Sequence, residues 1–369
     1  MSTAELLRRT GLVLLAAGML VACGDDSPEP ATPGTPLDPA PDPAPDPTPD
    51  PDPDPDPDPD PDPAPDPTPG GFVLGDDPAV ECPTGTVEVL AFAGGEDEQG
   101  LCELSGTITG DVTLTAGPTY TLAGAVFVGD DLGPDPANPF TTDDDGNALS
   151  AGSLTIEAGV TVFGQDESAF LAVSRGSQIF VNGTQSAPVV LTSAEDLGFA
   201  PALGRVGREP FTGPAVDDPF VGEWGGFVVN GRAPINAPSG EFPDGLTAAG
   251  EAGTGLYGGA TPTDDSGTID FLQVLYAGDQ ITTETELNGI AFQGVGSGTE
   301  LDFIQVHNGA DDGVEFFGGT ANIAHLVVTG ANDDSLEWVQ GWTGSGQFIL
   351  VVQNPNFSES DQGIEADNL

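Results

Sequence analysis

Asn288-Gly-Ile-Ala-Phe292, Asp312-Gly-Val-Glu-Phe316, Asp334-Ser-Leu-Glu-Trp338 and Gln362-Gly-Ile-Glu-Ala366 are variants of one five-residue segment, offset by 24, 22 and 28 residues. Their neighbours repeat with them. Ile269-Asp-Phe-Leu-Gln-Val274 recurs as Leu301-Asp-Phe-Ile-Gln-Val306, and similar runs follow at Ala324–Val328 and Phe348–Val352. A near-constant period of this length marks one supersecondary unit stacked repeatedly, and β-rich units of roughly 22 to 24 residues suit the coils of a parallel β-helix. Side chains alternate across a strand, so Val314 and Phe316 are expected to point inward over Leu336 and Trp338, with Glu315 and Glu337 outward. The competing arrangement is a β-sandwich that pairs these segments antiparallel.

Working upstream, Leu154–Val162, Gln178–Gly183 and Pro188–Thr192 read as short strands with Gly or polar corners, and no convincing amphipathic helix interrupts them. Gly253–Gly259 and Gly294–Gly298 lack a following helix and a lysine, so they read as turns rather than phosphate loops. Trp224, Trp338 and Trp342 fit core packing better than a sugar-stacking platform. Cys82 and Cys102 precede the first clear coils, and in an oxidising compartment two such cysteines are expected to form a disulfide that staples the N-terminal cap.

The N-terminus reads as an export signal. Arg8 and Arg9 are followed by an uncharged, mostly apolar run from Gly11 to Ala22, too short for the roughly 20 residues of a membrane span. Leu20-Val21-Ala22-Cys23 resembles the bacterial lipobox, which makes Cys23 the expected lipidation site. Several acyl chains there would hold the protein firmly, at about 0.8 kcal/mol per buried methylene. From Ser27 to Gly71 the chain is dominated by Asp-Pro and Ala-Pro dipeptides. Proline removes donors and fixes φ while the aspartates repel one another, so an extended spacer is expected. The predicted organisation is a signal peptide over 1–22, a lipid-anchored linker over 23–79, a cap with first coils over 80–130, and β-helix over 131–369. With no capping unit before Leu369, the solenoid is expected to be incomplete there.

The full chain carries 60 acidic residues against 6 Lys and Arg, a formal net charge of −54 at pH 7. Beyond the leader the only cations are Arg175, Arg205, Arg208 and Arg232, with no lysine. A phosphate-binding surface needs clustered Lys and Arg, so nucleic acid and anionic lipid surfaces are poor candidates as partners, and no nucleic-acid partner is expected. A saline medium, in which the Debye length falls from about 8 Å toward 3 Å, or bound divalent cations would suit such a surface.

Trp224–Asn236, Leu256–Gly259, Asn288–Gly298 and Asn308–Gly319 together resemble a family of exported bacterial β-helix proteins similar to a leptospiral outer-membrane lipoprotein. The resemblance covers roughly Val80 to Leu369. It implies an all-β, pectin-lyase-like, right-handed parallel β-helix on the cell envelope, and it implies no settled activity.

The chemistry concentrates in a ladder of carboxylates: Asp311, Asp312 and Glu315, then Asp333, Asp334 and Glu337, then Asp361 and Glu365. Stacked strands lie about 4.8 Å apart, so like charges in register repel unless something offsets them. Calcium accepts six to eight oxygens and is the expected cofactor; the bland alternative is a solvated acidic face. Paired aspartates on neighbouring coils also suit a polysaccharide-active hydrolase or lyase. No Gly-His-Gly or Arg-Ile-Lys segment accompanies them, and His307 and His325 lie in strand-like runs. The residues therefore favour a non-enzymatic envelope lipoprotein, anchored in the outer membrane and facing the exterior or periplasm, that binds cations, a polysaccharide or an envelope protein. A purely structural spacer is the third reading.

Overall fold

The structure is a computed structural model that describes residues 81–92, 98–199, 220–236, 242, 244–278, 280–282, 285–357, 360 and 362–367. The leader, Cys23, the Asp/Pro linker and Asp361 lie outside the described residues.

The described strands are short and rich in Val, Ile, Thr and Phe, residues that fit a pleated, half-buried surface. They stack in three columns. The first face runs through Phe170–Val173, Gly226–Asn230, Ile290–Gln293, Val314–Phe317, Leu336–Val339 and Glu365–Ala366, every pair parallel. The second joins Gly110–Leu114, Gly152–Glu157 and Gln178–Asn182 to the first halves of Gly267–Leu275, Glu300–His307 and Asn322–Thr329. The third stacks Thr161–Gly164 and Val189–Ser193 on the second halves of those same long strands. The chain visits the faces in rotation, which is the path of a parallel β-helix. The four repeat segments lie directly over one another and parallel, so the antiparallel sandwich is excluded.

Alternation explains the core. Ile290, Val314 and Leu336 share one inward register position and Phe292, Phe316 and Trp338 the next. All except Trp338, which packs on the edge of the cluster, are buried. Phe292 and Phe316 stack with ring centroids 5.0 Å apart. Trp224 is buried in the same core, with its indole N–H donating to the carbonyl of Leu275 at 2.8 Å. Each rung thus buries its apolar residues against the rungs on either side, which is how a solenoid stabilises units that could not fold alone.

At the N-terminal end Val87–Phe92 pairs antiparallel with Glu98–Ile108, which then pairs parallel with Thr119–Val128. The Cys82–Cys102 disulfide, with its Cα atoms 5.4 Å apart, ties the segment before the hairpin to the first rung. Two further antiparallel pairs occur in excursions: Ala248–Ala249 with Leu256–Tyr257, and Gln280–Thr282 with Thr285–Glu286. The first excursion is pinned at its base by Arg175. Its buried guanidinium holds Asp131 through two bonds of 2.7 Å and donates to Thr247 Oγ1 and the Gly258 carbonyl, both at 3.0 Å. Among the described residues no helix is long and apolar enough to cross a membrane.

Candidate metal centre

The corner that leads into the first face carries Asn288, Asp312, Asp334 and Gln362 on successive rungs. At each step the side-chain oxygen of one residue accepts the backbone N–H of the next. Asn288 Oδ1 accepts from Asp312 N at 3.2 Å, Asp312 Oδ1 from Asp334 N at 3.0 Å, and Asp334 Oδ1 from Gln362 N at 3.0 Å. These bonds run along the solenoid axis and satisfy backbone donors that the turn would otherwise leave buried and unpaired.

The second atom of each side chain serves a glutamate on the following rung. Asn288 Nδ2 donates to Glu315 Oε2 at 2.7 Å. Asp312 makes the corresponding bond to Glu337, and Asp334 to Glu365. An amide has a donor to give; a carboxylate has none. The same bond therefore requires a proton on the carboxyl pair at the two lower rungs, or a cation in its place.

The electrostatics agree. Burial pushes the Asp312 carboxyl up to about 12, with the bond to Glu337 and the charges of Glu315, Asp311 and Glu337 adding to it. Burial also raises Glu315 well above the ordinary range, Glu337 adds to this, and the amide of Asn288 opposes it. Asp334 rises to about 7 through desolvation first and then its bond to Glu365. Asp312 is 3% exposed, Glu315 7% and Asp334 1%. The solvated acidic face expected as the bland alternative is thus wrong for these three, because the corner and the neighbouring rungs close over them.

The carboxylates gather into two overlapping groups. Asp312, Glu315 and Glu337 offer oxygens within 4.8 Å of one another, as do Asp311, Asp312 and Asp333. A calcium ion binds oxygens at about 2.3–2.6 Å, so oxygens with this spread can share one ion. Asp334 and Glu365 form their own pair one rung on; Asp361 lies outside the described residues. Asn288 was not among the residues singled out from sequence, although its place at the head of the repeat, three residues before the position that becomes Glu315 and Glu337, carried the signal.

The profile of the pectate-lyase-like β-helix domain matches residues 145–206 and 211–369. The chain belongs to that family. No curated protein and no solved structure matches it significantly. In this pectate-lyase-like β-helix each of the pairs Asp311/Asp312 and Asp333/Asp334 has one half-buried member, Asp311 or Asp333, and one buried member. Asp312 and Asp334 are consumed as rung-to-rung acceptors and sealed from solvent. His307 is buried, with Nδ1 2.8 Å from Thr329 Oγ1, while the partly exposed His325 has Nδ1 2.7 Å from Asp302 Oδ1.

Proposed function

We propose that the protein is a non-enzymatic β-helix lipoprotein of the bacterial envelope, anchored through Cys23 and held off the outer membrane by its Asp/Pro linker. Its late coils bind a divalent cation, calcium by choice of ligands, and its flat acidic faces meet a polysaccharide or an envelope protein. The observation that carries the cation is the convergence of Asp312, Glu315 and Glu337, whose oxygens lie within 4.8 Å of one another in a nearly closed corner. Carboxylates so placed cannot all be ionised without a compensating positive charge. The leader with its lipobox, and the resemblance to exported β-helix proteins similar to a leptospiral outer-membrane lipoprotein, support the placement.

Calorimetric titration of EDTA-stripped protein with Ca²⁺ tests the binding. Saturable heat and a rise in melting temperature are expected; a flat titration with an unchanged melting curve overturns it. For the anchor, Cys23→Ser should release the protein from the membrane fraction.

A polysaccharide-active enzyme is the second reading, favoured by membership of a pectate-lyase-like family. The burial of Asp312 and Asp334 counts against it. Reducing-end release from neutral and acidic polysaccharides, abolished in Asp311→Asn or Asp333→Asn, would establish it.

A further inference from the structure

The hairpin Ala248–Ala249 and Leu256–Tyr257, with the single 3-10 turn Glu251–Gly253 between its strands, folds back over the outward side of the first face. Asn230 and Gln293 are register partners on that face, and their side chains reach the hairpin at Thr254 and Gly250. Asn230 Nδ2 donates to the Thr254 carbonyl at 2.8 Å, which fixes the amide and leaves Asn230 Oδ1 as an acceptor. Asn230, Gln293 and Thr254 are all more than nine-tenths buried. Yet Asn230 Oδ1, Gln293 Oε1 and Thr254 Oγ1 have no hydrogen-bond partner among the described residues. A β-carbon at position 250 would collide with both Thr254 Oγ1 and Gln293 Oε1, so these two oxygens converge on the same side of Gly250, and only glycine admits them.

A buried oxygen without a hydrogen-bond partner is costly, so three together imply an occupant. The set is acceptor-rich, since only the threonine hydroxyl can donate. Its setting is negative. Glu251 sits in the hairpin turn, and its charge reaches Glu315 beneath. Arg175, at the hairpin's base, is already engaged by Asp131. An acceptor set under a negative field takes a cation in preference to a neutral molecule, and three uncharged oxygens without a carboxylate suit a single charge.

We propose that a small monovalent cation of the alkali-metal class binds under this hairpin, held by Asn230 Oδ1, Gln293 Oε1 and Thr254 Oγ1, and locks the hairpin onto the first face. The site is separate from the carboxylate centre, and its test is run in EDTA so that the two stand or fall apart. At constant ionic strength, melting in sodium or potassium chloride should exceed that in tetramethylammonium chloride by about 3 °C, the shift a site near tenfold saturation gives. Gln293→Glu discriminates between occupants. A carboxylate ligand tightens a cation site, so the difference between sodium or potassium and tetramethylammonium should widen; around a water it buries an uncompensated charge and lowers melting equally in all three salts. Should that variant fail to fold, rubidium-soaked crystals of the unaltered protein decide. An anomalous peak among the three oxygens is expected, whereas a rubidium-free peak with water-like distances overturns the proposal.

Discussion

Asn288, Asp312 and Asp334 occupy equivalent positions and make equivalent bonds, but only the asparagine carries its own donor. Two reciprocal substitutions follow. Asp312→Asn gives the lower rung the amide that the upper rung already uses, and without divalent ions at pH 8 it should raise the melting temperature while weakening the response to Ca²⁺. Asn288→Asp brings a carboxylate against Glu315 and should destabilise the protein by about 1–3 kcal/mol, the cost of an unmade buried bond. Thermal melts in EDTA and in Ca²⁺ check both. Titration gives an independent reading. Asp334 is raised from its ordinary 3.8 to about 7, so the folded state binds a proton that the unfolded chain has released across that interval. Stability therefore falls as pH rises from about 4 to about 7, and Asp334→Asn should flatten that part of the curve in EDTA. At this scale the sequence showed the carboxylates but not their burial. Composition alone reads Asp312 and Glu315 as surface charge; the corner that closes over them is set by stacking contacts between rungs more than twenty residues apart.

The long strands show why an element can be recognised and still be misjudged. Ile269–Val274 and Leu301–Val306 look like single strands, and they pair in register, but each turns a corner. Phe271, Phe303, His325 and Phe348 all have positive φ, between 49° and 59°. The residue at the bend drops out of the pairing, so Ile269 and Leu272 both face inward despite their odd spacing. A bulky residue in the left-handed region is strained, and here the strain is offset by stacking. The four rings pile along the solenoid edge with centroids 4.3, 4.2 and 4.8 Å apart and planes within 8° of parallel. Gly183 heads the column, where a β-carbon would strike Phe271. Phe303→Ala keeps the strained backbone and loses two ring contacts, so it should cost about 1–3 kcal/mol. Phe303→Gly relieves the φ penalty and should cost less, an inversion of the usual order, measurable by urea unfolding. The repeat spacing made the coils legible; the bend was not, because strand alternation assumes that every residue advances the pleat.

At the scale of the molecule, a chain of net charge −54 with almost no lysine or arginine folds around a continuous apolar core. The core follows from the repeats, which is why the parallel β-helix could be read from four five-residue segments. The charge has a different consequence: self-repulsion opposes compaction, and mobile ions screen it. In EDTA, raising sodium chloride from about 0.1 M to about 1 M, where the Debye length shortens from about 10 Å to about 3 Å, should raise the melting temperature steadily. Beyond general screening, the proposed divalent ion stands in the late rungs where the upper rung places an amide. Anomalous diffraction from crystals grown with Ca²⁺ addresses it most directly. A peak within about 2.3–2.6 Å of oxygens from Asp312, Glu315 and Glu337 is the result expected. An ordered corner with no peak, and Asp312 hydrogen-bonded to Glu337 at every metal concentration, would contradict it.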